Sequence, residues 1–476
     1  MFGYDPALQR TGVKGDLMKT IGIIGGGVSG LATAIQLSKL NNRIVLLEKH
    51  PLPYKPKNNF LTFNFTINYR GLKSLQELGL WDEVKSLSTP LYSRVVHSEK
   101  GGKVQKYSPD GEFVLYSIPR IDLLNILYGY AKSISNIDIL EGCLVTNIQT
   151  ERPVSIDYLK QNKKSREEVD FIVAADGANS PIRTMFRDRL KPSLKDFKWG
   201  YIEITISKSE PLLVQPISTK SLHVWSGKNF ICVGIPNKDE TVSLLYLSSF
   251  RQEEGQSEVT RFLNHAKHHI ACSVGKIEAL STLDRCSKIG RIRMVSCANW
   301  YIDNAILLVG DAAHAFCPFY GQGMNASLQD ACTLRDLLDF FPINQVFGKF
   351  YDIRKPSMDI LSELSNKHFY RLKDKFHSSF YNASYKLDYD LCKKYPKLWM
   401  HEYTKLSNSC DAVEKIHSRI KKQKLLKLNP IYAFMYLIYL LKEISERICE
   451  LARPTRGHSI KKKLLRTDQV STHSPP

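Results

Sequence analysis

An α/β fold is predicted, with a dinucleotide-binding domain discontinuous in sequence, a β-sheet domain set into it and a helical C-terminal region. Three observations predict it. Residues 20–50 read as strand, Gly-rich turn, helix and strand. Residues 196–250 change to runs rich in β-branched and aromatic residues, such as YIEITI, NFICVGI and TVSLLYL. After about residue 345 the pattern is helical and Lys-rich to about 451.

The first unit fixes the rest. IGIIG is a short apolar strand, LATAIQLSKL is helical in period, and RIVLLE is a second apolar strand. Between them Gly25, Gly27 and Gly30 form GxGxxG. Gly25 permits the tight turn, Gly27 lets the backbone approach a pyrophosphate, and Gly30 lets helix and strand pack closely. The helix N-terminus offers unpaired N–H groups to phosphate. Glu48 closes the second strand, where a carboxylate accepts from ribose hydroxyls. Alone it would read as a solvated strand end.

PLPYKPK then breaks regular structure, and residues 70–88 are helical. Strand-like segments follow near Tyr92–His97 and Phe113–Tyr116, with a helix over 120–133. FIVAA is a strand that runs into Asp176-Gly177-Ala178-Asn179-Ser180. Residues 256–270 look helical. AILLVG leads to Asp311-Ala312-Ala313-His314, and Pro318-Phe319-Tyr320-Gly321-Gln322-Gly323-Met324-Asn325 opens a helix. Each DG or GD alone reads as a turn. The three glycine-rich signals in this order point to one dinucleotide.

Composition narrows the partners. The chain has 476 residues, which suggests two or three domains. Its 67 basic and 47 acidic residues give a net charge of +20, a field that attracts anions. No nucleic-acid-binding motif accompanies it, so no nucleic acid is expected. The ten cysteines are scattered without CxxC, which argues for free thiols in a reducing compartment and no metal site.

These motifs resemble those of the class A FAD-dependent aromatic hydroxylases, with the p-hydroxybenzoate hydroxylase fold and a Rossmann-like FAD-binding domain. Within that class the likeness is greatest to the kynurenine 3-monooxygenases, over about residues 20–410. Tyr69-Arg70-Gly71, Ile118-Pro119-Arg120, Gly200-Tyr201-Ile202-Glu203 and GDAAHAFCPFYGQGMNA carry it. The resemblance implies FAD and NADPH as cofactors and O2 as co-substrate. Gly25, Gly27, Gly30 and Glu48 would hold the ADP half of FAD. Arg120 would stand against the cofactor, and Asp176 and Gly177 would contact FAD and NADPH. Asp311 would bind the ribityl chain. Pro318, Gly321, Gly323, Met324 and Asn325 would lie beside the isoalloxazine. Oxygen activation is assigned to the reduced flavin, and no side chain is called catalytic.

The implied substrate is a small aromatic carboxylate, L-kynurenine above others. Arg94 matches the family's carboxylate-binding arginine; an arginine fork donates two parallel bonds to a carboxylate. Read alone, Arg94 is a surface strand charge. Tyr107 and Tyr403 match the accompanying tyrosines, and Asn64 and Phe319 fall on the same side. His368 stands where the family has asparagine, and Leu61 where it has arginine. Those departures leave another aromatic acid open as substrate. A flavin-binding protein without hydroxylase activity is the other alternative.

The domain reading is a disordered leader at 1–18, FAD-binding segments at 19–90, 120–190 and 286–345, substrate-domain strands at 91–119 and a β-rich substrate domain at 191–285. A helical region at 346–451 and a polar basic tail at 452–476 complete it. The apolar run 431–441 is too short to span a bilayer. It reads as a packed helix first, and as a peripheral membrane contact or short inserted hairpin otherwise. The expected location is cytoplasmic; eukaryotic members of the family carry a C-terminal anchor to the mitochondrial outer membrane.

Overall fold

The computed structural model describes residues 18–54, 64–98, 101–107, 114–207, 213, 217–227, 229–249, 257–275, 280–281, 283, 289–374 and 378–452. The leader at 1–17, Leu61 and residues 453–476 lie outside the described residues.

The dinucleotide unit is built as its sequence pattern requires. Strand β1 (Thr20–Ile24) leads into helix α1 (Val28–Ser38) and strand β2 (Arg43–Glu48). These sit in a six-stranded sheet ordered Tyr301–Ile302, Ile306–Leu308, Phe171–Ala174, β1, β2, Ile137–Glu141. All its pairs are parallel except at the Tyr301–Ile302 edge. Ile21 is in register with both Phe171 and Ile44. A parallel sheet covered on both faces needs continuous apolar strands, and Phe171–Ala174 and Ile306–Leu308 are wholly buried. Helix α1 is buried at all 11 residues, packed against helices Gly323–Phe340 and Arg120–Ser133. Each fully buried Leu or Ile there contributes about 1.5–3 kcal/mol.

The β-rich region forms a seven-stranded sheet ordered Gly290–Cys297, Pro192–Ser207, Thr241–Ser249, Phe230–Pro236, Ser221–Ser226, Ser93–Ser98, Gly101–Lys106. Only Ser93–Ser98 and Ser221–Ser226 pair in parallel. Side chains alternate across a strand. Ile202, Ile204 and Ile206 therefore pack under helix Glu258–Ser273 with Phe262 and Ala266. Leu222, Val224, Val233 and Leu245 face the opposite way.

Several sequence expectations are corrected here. Leu115–Pro119 does not join the large sheet; it pairs with Asn64–Ile67 and Thr89–Leu91 in a separate three-stranded sheet. Gly290–Cys297, read as part of the FAD-binding segment, is an edge strand of the large sheet. The helix expected over 70–88 is two, Tyr69–Leu78 and Trp81–Leu87, because Gly79 caps the first at φ +82°. The meander Cys143–Gln149, Val154–Lys160, Lys163–Val169 was not read as strands, since its polar face hides the alternation.

The 431–441 run lies within helix Pro430–Ala452. It packs by one face only, against helix Ser379–Lys394: Ile431, Phe434, Leu437, Ile438 and Leu441 are exposed, with Phe434 at 65 %. The opposite face is tied down by polar tips. Tyr432 and Tyr439 donate to Asp388 and Asp390, at 3.0 and 2.6 Å. Among the described residues, no helix is long and apolar enough to cross a membrane.

Candidate active site

The three motif glycines do different physical work. Gly25 has φ +107°, and a Cβ there would lie 2.5 Å from the Ala175 carbonyl oxygen. A Cβ on Gly30 would lie 1.8 Å from the Gly25 oxygen, so helix and turn touch directly. A Cβ on Gly27 would meet nothing within 4 Å, which leaves open space before the N-terminus of α1. Gly27 caps that helix without a side-chain hydrogen bond, and the Leu31 amide is the first to return, to the Gly27 carbonyl. The preceding amides and the positive end of the helix dipole therefore face that space.

A cavity of about 410 Å³ occupies it, lined by Gly25, Gly27, Glu48, Tyr54, Arg120 and Asp176 among others. Glu48 is buried and oriented by two amides: Oε2 accepts from Gly26 N–H at 2.6 Å and Oε1 from His50 N–H at 2.8 Å. A carboxylate accepts about four bonds, so both oxygens keep acceptor capacity for ribose hydroxyls. The Tyr54 hydroxyl donates to the Gly26 carbonyl at 3.1 Å. Arg120 opens helix Arg120–Ser133, its guanidinium 5.8 Å from the Phe65 ring centre.

Asp176 sits at the end of strand Phe171–Ala174. Its Oδ2 accepts from Ser180 Oγ at 2.7 Å and Ile182 N–H at 3.1 Å. Its Oδ1 is buried with no partner, and burial raises the carboxyl pKa. An orphaned acceptor beside a helix dipole, within a glycine cradle, fits a hydroxyl-bearing phosphate ligand.

The second turn faces another cavity, about 210 Å³, whose walls include Asp311, Pro318, Phe319, Gly321, Gly323 and Met324. Asp311 is enclosed by the fold, which raises its pKa, yet its carboxylate is accessible through the cavity. Gly321 has φ +62° and ends the short 3-10 turn Pro318–Tyr320. Helix Gly323–Phe340 then begins without a side-chain cap, and its first amides are free for a ligand. Asn325 is different. Its Nδ2 donates to the carbonyls of Thr66 (2.9 Å) and Gly321 (2.8 Å), and its Oδ1 accepts from Asn68 N–H (3.1 Å). The side chain braces the turn, so only its backbone is available to a cofactor.

A buried triad holds the Gly310–Asp311 turn. Asp330 Oδ2 accepts from the Gly310 amide at 2.9 Å and lies 2.7 Å from His314 Nε2; Oδ1 accepts from Arg354 Nε at 2.7 Å. Burial alone would raise the Asp330 pKa, but His314 and Arg354 hold it down at about 2. A depressed carboxyl stabilises the fold above its unfolded value of 3.8 and loses that contribution as pH falls toward 2. The loss is on the order of 2 kcal/mol. Asp330→Asn is expected to destabilise by about 3–5 kcal/mol at pH 7, because Arg354 keeps its charge without a counter-ion. Urea midpoints from pH 6 to 3 check this: the wild type must lose stability on acidification more steeply than the variant.

Arg94, Tyr107, His368, Tyr403, Asn64 and Phe319 line the same cavity as Asp311. Arg94 projects from strand Ser93–Ser98, its Nε donating to Gln105 Oε1 at 2.7 Å and its guanidinium 5.9 Å from the Tyr385 ring centre. Burial lowers its pKa, but Tyr385, Tyr381, Tyr107 and Tyr403 outweigh that and raise it, so it stays charged. The Tyr107 and Tyr403 rings lie 6.2 Å apart, and burial holds both phenols neutral. His368 stacks on Tyr403 at 6.3 Å; burial, then Arg94 and Arg371, keep its pKa far below the ordinary value. Its imidazole is neutral. Asn64 is spent on bracing: Nδ2 donates to Ser117 Oγ and Asn237 Oδ1, and Oδ1 accepts from Ser243 Oγ. Leu222, Val224, Val233, Ile235 and Leu245 of the large sheet supply an apolar wall.

Four residues here were not singled out in the sequence: Tyr54, Gln105, Tyr381 and Tyr385. The two last share a signal, the i, i+4 spacing of Tyr381, Tyr385 and Tyr389 on helix Ser379–Lys394.

Residues 18–339 match the FAD binding domain family. A kynurenine 3-monooxygenase of Candida albicans is 30% identical over 404 residues, covering 82% of this chain and 88% of that protein. The chain belongs to the kynurenine 3-monooxygenase family. Membership in this family makes FAD the cofactor. The enzyme of that name from Salinispora arenicola is 28% identical, covering 81% of this chain and 87% of its own. Among solved structures, p-nitrophenol 4-monooxygenase from Pseudomonas putida aligns with TM-score 0.65 at 17% identity, covering 80% and 96%. 2-Methyl-3-hydroxypyridine-5-carboxylic acid oxygenase aligns with TM-score 0.63 at 18% identity, covering 76% and 95%. At such identities these two speak for the shared fold alone.

Proposed function

We propose that this FAD enzyme uses NADPH and O2 to hydroxylate L-kynurenine to 3-hydroxy-L-kynurenine. One observation carries the reading: a charged arginine, Arg94, stands among neutral tyrosines in an apolar-walled cavity that also contains Asp311 and the cofactor turn. A carboxylate at one end of a flat apolar ligand is what such a cavity binds.

FAD held in this site would supply oxygen activation once reduced by NADPH. The chain's own residues do the rest. Gly25, Gly27, Gly30 and Glu48 hold the adenosine pyrophosphate, with Asp176 and Gly177 beside it. Asp311 takes the ribityl hydroxyls. The first amides of helix Gly323–Phe340 would stabilise negative charge on the cofactor ring. Arg94 clamps the substrate carboxylate, with Tyr107 and Tyr403 donating beside it. Neutral His368 offers a hydrogen bond to the polar groups near the aromatic ring, and Phe319 with the sheet wall excludes water.

The test is incubation with FAD, NADPH and L-kynurenine, read by mass spectrometry. A product heavier by one oxygen, with matching NADPH loss, is expected. NADPH loss without oxygenated product would reject kynurenine as substrate and leave the FAD site standing.

We further propose peripheral membrane contact through residues 431–441. Phe434, Leu437 and Leu441 form an exposed apolar face, on the helix that follows in sequence the basic helix Val413–Leu426 with Lys421, Lys422 and Lys424. Apolar insertion plus attraction to anionic lipid is the physics of an interfacial helix. Phe434→Glu is expected to lower co-sedimentation with phosphatidylserine-containing vesicles at least about tenfold. Equal binding by wild type and variant would remove the membrane reading.

A further inference from the structure

A third cavity, about 680 Å³, lies away from the catalytic one, between helices Tyr69–Leu78, Gly323–Phe340 and Ile343–Asp374 and the segment 410–414. Its volume is within the range of small-molecule sites, about 300–1,000 Å³. None of the residues assigned to FAD or substrate lines it.

The walls select a ligand class. Leu337, Phe340, Phe341, Ile353 and Val413 give an apolar surface. Three arginines line it: Arg70, which donates to the Leu406 and Asp411 carbonyls, Arg335, which pairs with Glu77 and Asp336, and Arg354, which donates to Asp330 and the Ala326 carbonyl. Four carboxylates do as well, those of Glu77, Asp336, Asp352 and Glu414. A nucleotide or other polyanion would face those carboxylates, and a polycation the arginines. A zwitterion with an apolar body suits both. One geometric detail favours an acceptor such as a carboxylate at the basic end, and the burial of Arg70 supports it. Arg335 Nε is buried without a hydrogen-bond partner. Arg70 is held below its ordinary pKa by burial and by the neighbouring Arg354.

The cavity is also wired to both cofactor turns. Arg354 donates to Asp330 at 2.7 Å, and Asp330 accepts from Gly310 N–H, the residue before Asp311. Arg70 lies in the first turn of helix Tyr69–Leu78, capped by Asn68, whose Oδ1 accepts from the Arg70 backbone amide at 3.0 Å. Asn68 in turn donates through Nδ2 to Gln322 Oε1 and through its amide to Asn325 Oδ1, each at 3.1 Å. One arginine of the cavity thus reaches the Gly310–Asp311 turn, and another the turn that opens helix Gly323–Phe340. A ligand that shifts the Arg354 guanidinium, or the first turn of helix Tyr69–Leu78 that carries the Arg70 amide, changes the geometry offered to FAD.

We propose that this cavity is a regulatory site for an aromatic α-amino acid, coupled to the cofactor through Asp330 and Asn68. Its carboxylate meets the arginines, its ammonium the acidic residues, and its ring the Leu337–Phe341 wall. Binding is linked to FAD affinity, and by reciprocity FAD changes the affinity for the amino acid by the same factor.

Titration calorimetry of the FAD-loaded full chain with L-tryptophan and L-phenylalanine tests this. Arg94→Ala is titrated in parallel so that the substrate cavity is silenced. One equivalent is expected to bind in both proteins, with Kd below about 1 mM. Thr333→Phe, which fills the cavity, is expected to weaken binding at least about tenfold with FAD content unchanged. Asp352→Asn, an exposed position, is expected to do so about threefold and serves if the larger side chain impairs folding. Saturating amino acid is expected to shift the FAD Kd at least about threefold. Binding lost in Arg94→Ala but kept in Thr333→Phe and Asp352→Asn would place the ligand in the substrate cavity and overturn the proposal. So would absence of binding at 10-fold above the expected Kd. Binding in the third cavity with no change in FAD affinity would overturn its regulatory half.

Discussion

Gly30→Ala protein is expected to leave purification colourless. The new Cβ would stand 1.8 Å from the Gly25 carbonyl oxygen and 3.0 Å from its carbon. Both are backbone atoms of the turn itself, so no flexible side chain can give way. The turn must open, and the amides at the start of α1 move away from the position proposed for the pyrophosphate. Overpacking of this kind costs about 1–3 kcal/mol of stability. The FAD Kd is expected to rise at least about 100-fold, since the charge-assisted phosphate bonds are lost together. Gly27→Ala is the control. Its Cβ meets no protein atom within 4 Å, so the fold and melting temperature are expected to hold while FAD affinity falls. The ratio of flavin absorbance to protein absorbance, with thermal melts, separates the two effects. Gly30→Ala that purifies with a full complement of FAD would show that helix and turn do not need their direct contact.

That contrast also shows which features the sequence could express. The glycine turn was legible because its constraints are local: a φ of +107° and a backbone contact five residues away write themselves as GxGxxG. The parallel sheet was legible for a similar reason, since strands buried on both faces must be apolar throughout. Asp176 and Asp311 were legible as acids at strand ends. Asn325 was legible as part of a motif but not in its role. Its partner Thr66 is 259 residues distant, so only the folded chain shows a brace. Tyr54 lay within a proline-rich break, and nothing local marks a side chain that returns to the Gly26 carbonyl. The strand Gly101–Lys106 is polar and at a sheet edge, where pairing depends on Ser93–Ser98 rather than on an apolar period. The 431–441 run was legible as apolar. Which face it turns to solvent is set by Asp388 and Asp390 on another helix, and no window of sequence contains that information.

Arg94→Ala is expected to raise the KM for kynurenine a few hundred-fold while FAD content stays normal. Each hydrogen bond to a charged group is worth about 1.5–3 kcal/mol, and a guanidinium gives a carboxylate two of them. Two such bonds sum to about 3–6 kcal/mol, and the expected rise in KM corresponds to the lower end of that range, roughly 3–4 kcal/mol of binding. The cofactor contacts proposed for Gly25, Glu48, Asp176 and Asp311 are on other elements, so flavin binding has no reason to follow. Arg94→Lys keeps the charge but loses the planar fork and the Nε bond to Gln105. Its KM is expected between the two, closer to the alanine variant. Steady-state kinetics with product quantified beside NADPH consumption checks both. If the clamp positions the ring as well as binding it, oxygenated product per NADPH falls along with affinity. A KM within threefold of wild type, or loss of flavin from Arg94→Ala, would sink the assignment of this cavity to the substrate carboxylate. Normal flavin with a lost substrate response is the combination that only a carboxylate clamp, and no general structural role for Arg94, produces.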